Sequence, residues 1–165
     1  MSSLSFDCKL MHVLNMKHTK DFVRKLGFDI VNYVVQKTNG NPPISSDCHV
    51  RTLRLTVEYL LEKHQAEFMD MTENISTSQS ICESFLSIAD KLFMGRTFNW
   101  GRIASLYAFA ACIADYCSKN HVGQDMTRKI GETVGNYVSD NLADWIYTQG
   151  GWVCNLCMSL AQSFL

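Results

Sequence analysis

Apolar residues recur at intervals of three and four along most of the chain, and no alternating strand pattern stands out. The first regular stretch runs from Asp21 to Lys37 and predicts an amphipathic helix. The apolar stretch from Leu4 to Met16 is less regular, and it either extends this helix or forms a short separate turn. This spacing favours an all-α protein.

A loop is expected after the first helix, because residues 38–47 (TNGNPPISSD) concentrate Asn, Gly, Pro and Ser. Ser46 or Asp47 is expected to cap the next helix, which begins near Cys48. One apolar face continues from Val50 to Met71, then the pattern lapses between residues 72 and 78 and resumes from residue 81 to residue 93. The sequence therefore predicts a second, long helix and a third.

A helix from Trp100 to about Cys117 is predicted to form the centre of the fold, with Asn99 as its N-cap. Ser105 is the only clearly polar residue between positions 103 and 113. A helix that is apolar around its whole circumference must be enclosed by other elements. We therefore expect the other helices to surround this one.

Three further helices are predicted beyond this hub. The first spans Met126 to Val138, where Gly131 and Gly135 lie one turn apart and would let the helix pack close to the hub. A short helix around residues 142–146 ends at a Gly-Gly pair, and residues 152–164 form a last helix.

The composition fits one globular domain over residues 1–165. Hydrophobic residues make up 47% of the chain and charged residues 19%, which is too little charge for a disordered protein. The chain has 15 Lys and Arg against 16 Asp and Glu, so its net charge of -1 gives no general attraction to nucleic acid. We expect no nucleic-acid partner.

The seven cysteines are an odd number, and several lie within apolar runs, which favours buried, reduced thiols in a cytoplasmic protein. Cys154-x-x-Cys157 is the one metal-like spacing, but no second pair and no nearby His accompany it, so we expect no metal and no cofactor. Residues 152–165 mix polar with apolar side chains, which predicts no membrane anchor in this chain. No nucleotide loop, zinc-protease motif or nucleophile elbow is present, so no enzymatic activity is expected.

Arg102 is the most informative charged residue of the sequence. It falls in the first turn of the hub helix, where the peptide dipoles disfavour a cation by a few tenths of a kcal/mol to about 1 kcal/mol. A buried or bound acid would remove this conflict. The alternative is an arginine whose head extends into water, and the residues alone leave both open.

Two motifs of this sequence are similar to those of a known family. Residues 98–103 (FNWGRI), followed by Phe109, resemble the N-W-G-R motif that opens the central helix of Bcl-2 apoptosis regulators, their first homology region. Residues 145–152 (WIYTQGGW) resemble the second homology region, and residues 29–37 (DIVNYVVQK) are similar to the fourth. The chain is identified by this resemblance as a member of the Bcl-2 family.

The third homology region is expected on the second helix, where residues 53–60 (LRLTVEYL) depart from the family pattern. Val57 stands where the family has a small residue, usually Gly, and Glu58 stands where it has Asp. A valine side chain would keep this helix from nesting in another protein's groove. We therefore expect that this helix does not act as a killing ligand.

The resemblance implies a bundle of about eight helices whose second to fifth helices frame an apolar groove. In the family this groove binds the amphipathic BH-three (BH3) helices of pro-apoptotic relatives through apolar anchors and one Asp of the ligand. Arg102 would pair with that Asp, with Asn99 and Gly101 at the same end of the groove. The expected groove walls, which would equally suit ordinary core positions, are Leu60, His64, Phe68, Met71, Ile88, Leu92, Ala104 and Phe109.

The leading hypothesis is a pro-survival protein that sequesters BH-three helices, located in the cytoplasm or peripherally at the mitochondrial outer membrane. Its short first loop and lack of an anchor are also typical of viral or early-animal members of the family, and of these two we favour a viral origin. The alternatives are a pore-forming pro-apoptotic effector of the same fold and, from another class, a thiol or zinc protein centred on Cys154 and Cys157. A monomer and a homodimer, in which one copy covers the groove of another, both remain open.

Overall fold

The computed structural model describes the backbone of residues 3–76 and 80–151 and the side chains from residue 9 onward within these ranges. Seven α-helices and no strand occur in this part of the chain. A short 3-10 helix, Met94–Arg96, lies between the fourth and fifth of them. The helices are α1 Ser3–Thr38, α2 Cys48–Lys63, α3 Gln65–Ser76, α4 Ile81–Leu92, α5 Trp100–Lys119, α6 Met126–Asn141 and α7 Ala143–Thr148.

The first helix is longer than its regular pattern, since the stretch from Leu4 to Met16 continues into α1 without a break. The loop predicted over residues 38–47 is present, and α2 begins at Cys48 as expected. Asp47, rather than Ser46, provides the cap, because its Oδ1 accepts hydrogen bonds from the backbone N–H groups of His49 at 2.8 Å and Val50 at 3.3 Å.

The predicted single helix from Val50 to Met71 is wrong, because the chain bends at His64 between α2 and α3. The φ and ψ angles of His64 are -118° and 34°, outside the helical region, although its N–H still donates to the carbonyl of Leu60 at 2.9 Å. The bend lets α2 and α3 each lie along α5. Local periodicity did not indicate it, since the apolar spacing continues across the bend.

The predicted lapse from residue 72 is also wrong, because α3 continues to Ser76 and buries Thr72 completely. The Thr72 hydroxyl donates to the carbonyl of Phe68 at 2.7 Å, one turn earlier in the helix. This bond satisfies the hydroxyl within the helix, so a polar residue occupies a core position that the apolar pattern alone would not predict.

The hub helix is confirmed as α5, which begins at Trp100 and ends at Lys119, two residues beyond the predicted end. Residues 106–114 are all buried, so the helix is enclosed around its circumference. Tyr107 is fully buried, and its hydroxyl donates to the carbonyl of Val23 in α1 at 3.3 Å. Burial raises the pKa of Tyr107 far above its usual value.

Gly131 and Gly135 allow a close helix approach, but the partner is α1 and not the predicted hub. A Cβ atom on Gly131 would lie 2.8 Å from Cα of Phe28, and one on Gly135 would lie 2.5 Å from the carbonyl oxygen of Arg24. Gly27 of α1 completes the crossing, since its Cβ would lie 2.6 Å from the carbonyl oxygen of Gly131. The spacing predicted the close contact but held no information on which helix it would meet.

The last predicted helix, residues 152–164, and the Cys154-x-x-Cys157 pair lie outside the described residues. Within the described ranges, no helix is both long enough and apolar enough to cross a membrane.

Candidate functional site

The amino terminus of α5 carries the charged end of the candidate site. Asn99 has extended backbone angles and caps the helix, with its Oδ1 accepting the N–H of Arg102 at 2.8 Å. Gly101 is exposed beside it, and a Cβ at this position would lie 3.3 Å from Oδ1 of Asn99. The cap therefore fixes the direction of the first turn, from which the Arg102 side chain extends.

Arg102 is held by the α4–α5 connection, and no acid of the described residues contacts it. Its Nη1 donates to the carbonyl oxygens of Leu92 at 3.2 Å and Thr97 at 3.0 Å, and also to the Thr97 hydroxyl. Leu92 is the last residue of α4, so the cation lies at a helix C-terminus, where it is favourable and offsets its unfavourable place in α5. Neither an intramolecular acid nor a fully solvated head, the two alternatives from the sequence, describes this arrangement among the described residues.

Part of the Arg102 guanidinium has no hydrogen-bond partner among the described residues. A guanidinium has five N–H donors, and the hydrogen bonds of Arg102 to described residues use only those on Nη1. No carboxylate of the described side chains lies within ion-pair distance of it. The donors on Nη2 and Nε can therefore bind an anion without breaking the contacts that position the side chain.

The expected groove walls fall into three groups by burial. Leu60, Met71, Ile88 and Leu92 are half-buried and pack on the core. Phe68, Ala104 and Phe109 are buried, and the rings of Phe68 and Phe109 stack with centroids 6.3 Å apart. His64 is partly exposed at the α2–α3 bend, with its Nδ1 3.8 Å from a carboxylate oxygen of Glu67.

Aromatic stacking joins the predicted wall residues of α3 and α5. Phe85 of α4 also stacks with Phe109, with ring centroids 5.9 Å apart, so three rings join α3, α4 and α5. Phe85 was not among the predicted site residues, although its place in the apolar pattern of α4 could have suggested it. Phe68, Ala104 and Phe109 therefore lie in the contacts between helices, while Leu60, Met71, Ile88 and Leu92 keep part of their surface exposed.

A second set of contacts beneath α3 also escaped the sequence pattern. Cys112 of α5 lies 3.4 Å from the Thr72 hydroxyl and 3.9 Å from the sulfur of Met69. Burial raises the pKa of the Cys112 thiol and that of Cys117, so neither is a reactive thiolate at neutral pH. The expectation of buried thiols holds for these two cysteines and is wrong for Cys48, which is exposed.

The first two motifs of the resemblance meet in space. Trp100 of the N-W-G-R motif and Trp145 of the W-I-x-x-x-G-G-W motif have ring centroids 5.1 Å apart. Phe98 also contacts Trp145, with centroids 6.2 Å apart. These aromatic contacts join the start of α5 to α7 and hold the Arg102 end of the site in place.

The segment that corresponds to the third homology region, residues 53–60, lies on α2. Polar contacts hold this helix against α1. Arg54 is 5% exposed, and it binds Asp29 of α1 with two nitrogens, at 2.8–3.0 Å. The same guanidinium donates to the carbonyl of Pro43 at 2.7 Å and lies 4.4 Å from the centroid of the Tyr33 ring. All three nitrogens of this guanidinium therefore have a partner within the chain, and an aromatic ring lies against it.

Glu58, which replaces the Asp of the family pattern, also contacts α1. Its carboxylate accepts the Tyr33 hydroxyl and lies 2.7 Å from Nζ of Lys37. Partial burial and the hydrogen bond to Glu58 raise the pKa of Tyr33 to about 12. The longer side chain thus provides an intramolecular bond instead of an acid presented to another protein.

Metal-donor atoms come together at one place in the described residues, where those of Asp47, Cys48 and His49 lie within 4.8 Å of one another. Asp47 already accepts two backbone N–H groups there, and a cation would face the positive end of α2. These residues account for the start of a helix, and we assign them no metal.

Sequence comparison supplies the family directly. Residues 53–152, more than half of the chain, match the model of the apoptosis regulator proteins of the Bcl-2 family. The chain belongs to the Bcl-2 family. Proteins of this family are regulators of apoptosis, so the expected function class is confirmed.

Similar proteins of the Bcl-2 family include Bcl-2-related protein A1 of Bos taurus, 25% identical over 136 residues that cover 79% of this chain and 76% of the relative. The fold is similar to that of the zebrafish pro-survival protein NRZ in complex with Bad BH3, with a TM-score of 0.72 and 17% identity, covering 83% of this chain and 94% of that one. It is also similar to chicken BOK, with a TM-score of 0.66 and 22% identity, covering 83% and 94%. The all-helical Bcl-2 fold is thereby confirmed.

Proposed function

We propose that this protein is a pro-survival Bcl-2 protein that binds the BH-three helices of pro-apoptotic relatives. The observation that carries the proposal is Arg102, whose Nη2 and Nε donors have no partner among the described residues. The half-buried Leu92 of the candidate groove is the residue whose carbonyl holds Arg102. A cation fixed beside a partly exposed apolar surface suits an amphipathic helix that carries an acid next to its apolar anchors.

In this proposal the half-buried residues, Leu60, Met71, Ile88 and Leu92, receive the apolar anchors of the ligand. The buried Phe68, Ala104 and Phe109 would form the floor of the groove beneath them. Asn99 and Gly101 lie at the charged end, where Asn99 retains its amide Nδ2 for the ligand while its Oδ1 caps the helix. His64 contributes at the α2–α3 bend. Because Phe68 of α3 stacks on Phe109 of α5, an anchor that enters between these rings would have to displace α3.

The contacts of α2 support a pro-survival role over that of a pore-forming effector. A helix that itself acts as a BH-three ligand must leave its own bundle. Here Arg54 and Glu58 bind Asp29, Tyr33 and Lys37 of α1, and Val57 is fully buried. Releasing α2 would leave the buried cation and the carboxylate without partners, which opposes release.

The location in this proposal is the cytoplasm, with peripheral contact to the mitochondrial outer membrane, where proteins of this kind would meet their ligands. The protein binds as a monomer, one chain to one peptide. A homodimer with covered grooves would instead show a peptide affinity that falls as protein concentration rises, which sedimentation with and without peptide would reveal.

The experiment that tests the proposal is calorimetric titration of the purified chain with a panel of BH-three peptides. At least one peptide is expected to bind at one-to-one stoichiometry with a Kd below about 10 micromolar, equivalent to about -7 kcal/mol. The absence of any such peptide would contradict it. Isolated mitochondria provide a second test, because cytochrome release caused by the protein alone would favour the effector alternative.

A further inference from the structure

The amino-terminal half of α1 exposes an apolar surface that the bundle does not cover. Leu10, Met11, Val13 and Leu14 are 49%, 57%, 63% and 44% exposed, whereas most apolar residues of the regular stretch further along α1 are buried. His12 contacts Tyr147 of α7, with ring centroids 4.9 Å apart, so the bundle lies on the His12 side of the helix. The exposed apolar side chains therefore lie on the outer face of a helix whose other side contacts the bundle.

The outer face has a regular composition along the helix. Leu10, Val13, Leu14 and Lys17 occupy positions i, i+3, i+4 and i+7, and so share one face. Lys17 is exposed at the end of this apolar strip, and Lys9 and Lys20 are nearby on the same segment. A helix with apolar and basic side chains together on its free surface has the composition of one that lies in a membrane interface.

The charge of this segment differs from that of the whole chain. Residues 9–20 contain three lysines, two histidines and no acid, although the chain as a whole has a net charge of -1. Within the described side chains, no carboxylate lies at ion-pair distance from these three lysines. The acids that flank this segment along α1 are Asp7, two residues before Lys9, and Asp21, which lies 3.5 Å from Arg24 and is partly neutralised by it.

We infer that the amino-terminal half of α1 docks on an anionic lipid surface, with Leu10, Val13 and Leu14 in the interface and Lys9, Lys17 and Lys20 against lipid headgroups. Each lysine near an anionic surface adds to the attraction, while the apolar strip contributes by leaving water. No helix of the described residues spans a bilayer, so this contact would be peripheral. The surface is separate from the candidate groove, and this inference does not depend on BH-three binding.

The test is co-sedimentation of the full chain with vesicles of phosphatidylcholine alone or of phosphatidylcholine containing phosphatidylserine. The wild-type chain is expected to bind the anionic vesicles at least about tenfold more tightly than the neutral ones, with affinity falling as salt rises. Leu10→Glu/Leu14→Glu is expected to lower this affinity about tenfold or more, and so is Lys9→Gln/Lys17→Gln/Lys20→Gln.

A matched control separates this face from a general effect of charge. Ile44→Glu/Leu55→Glu adds the same two charges at side chains that are 99% and 66% exposed elsewhere, and it is expected to keep most of the vesicle affinity. Circular dichroism and thermal midpoints establish that each variant is folded, and retained affinity of the α1 variant for a BH-three peptide shows that its groove is intact.

Several results would overturn the inference. Wild-type protein that binds neither type of vesicle, or both equally, would contradict it. So would equal losses in the α1 variant and the control. A dimer in sedimentation that only Leu10→Glu/Leu14→Glu dissociates would show that a second copy covers this face instead of lipid.

Discussion

Two arginines of this protein, Arg54 and Arg102, occupy contrasting places. Arg54 is buried between α1 and α2, with the Asp29 carboxylate, a backbone carbonyl and an aromatic ring around it. Arg102 is half-buried between α4 and α5, held through Nη1 alone and with no carboxylate among the described residues. The Arg54 guanidinium is bonded through all three of its nitrogens within the fold. The Nη2 and Nε donors of Arg102 have no partner among the described residues.

The difference separates stability from recognition. A buried charge that is paired within the chain holds its neighbours in a fixed geometry. Removing its partner leaves the charge uncompensated in the low-dielectric interior, which destabilises the fold. A charge that only neutral oxygens position costs the fold less to remove and keeps its capacity for an external acid. We therefore expect substitutions at the α1–α2 contact to affect folding first and substitutions at the α4–α5 end to affect binding first.

The largest effect is expected from Asp29→Ala, which leaves Arg54 buried without its carboxylate. The free energy of unfolding should fall by about 3–5 kcal/mol, as measured by urea denaturation. Asp21→Ala is the control, since Asp21 pairs with the exposed Arg24 at 3.5 Å and should cost less than about 1 kcal/mol. Equal losses in the two variants would contradict the distinction between the buried and exposed pairs.

Arg102→Ala is expected to weaken BH-three binding by about 2–5 kcal/mol, because the acid of the ligand would lose its partner in a partly desolvated site. Its free energy of unfolding should fall by only about 1 kcal/mol, the usual net value of such hydrogen bonds. Calorimetry and urea denaturation give the two quantities. Arg96→Ala removes an exposed cation from the same connection and should change neither by much; similar losses of affinity in both variants would point to a general charge effect.

Asn99→Ala tests whether the cap positions the Arg102 end. Loss of the Oδ1 acceptor should lower the free energy of unfolding by about 1 kcal/mol, and Asn99→Ser, which keeps a capping oxygen, should restore most of it. Thermal and urea denaturation measure this. An Asn99→Ala variant with unchanged stability would mean that the first turn of α5 does not need the cap.

The last of these predictions concerns Tyr33 and gives a pH dependence to the α1–α2 contact. The pKa of Tyr33 is raised to about 12 in the fold, so the folded state prefers the protonated hydroxyl. Its contribution to stability is full below the unfolded value near 10 and is lost as pH rises toward 12. Urea denaturation at rising alkaline pH should show a steeper decline for the wild type than for Tyr33→Phe, and identical slopes would contradict the contact.

Local signals in the sequence were sufficient for several parts of this structure. A capping side chain followed by an apolar face predicted the starts of α2 and α5, and the apolar circumference of residues 103–113 predicted the hub. Each of these depends on residues close together in the chain. The family motifs added the Arg102 end, whose Trp100–Trp145 contact joins distant segments.

Other features of the fold depend on contacts between distant segments, which the periodicity of a single segment cannot predict. The bend at His64 and the burial of Thr72 follow from α5 as a shared packing surface, and the glycine row of α6 met α1 instead of the hub. The partners of Arg102 could not be inferred either, since they are backbone carbonyls ten and five residues earlier. The position of α3 against α5, where Phe68 stacks on Phe109, was likewise fixed by no local pattern.

The most direct test of the central claim is a double-mutant cycle between Arg102 of this protein and the Asp of a bound BH-three peptide. Calorimetry would give four affinities, for wild type and Arg102→Ala, each with the native peptide and with a peptide carrying Ala in place of that Asp. A coupling free energy of about 1.5 kcal/mol or more, within the range measured for close interfacial charge pairs, is predicted. A coupling near zero, with the wild-type peptide still bound, would show that Arg102 does not meet the acid of the ligand and would contradict the account.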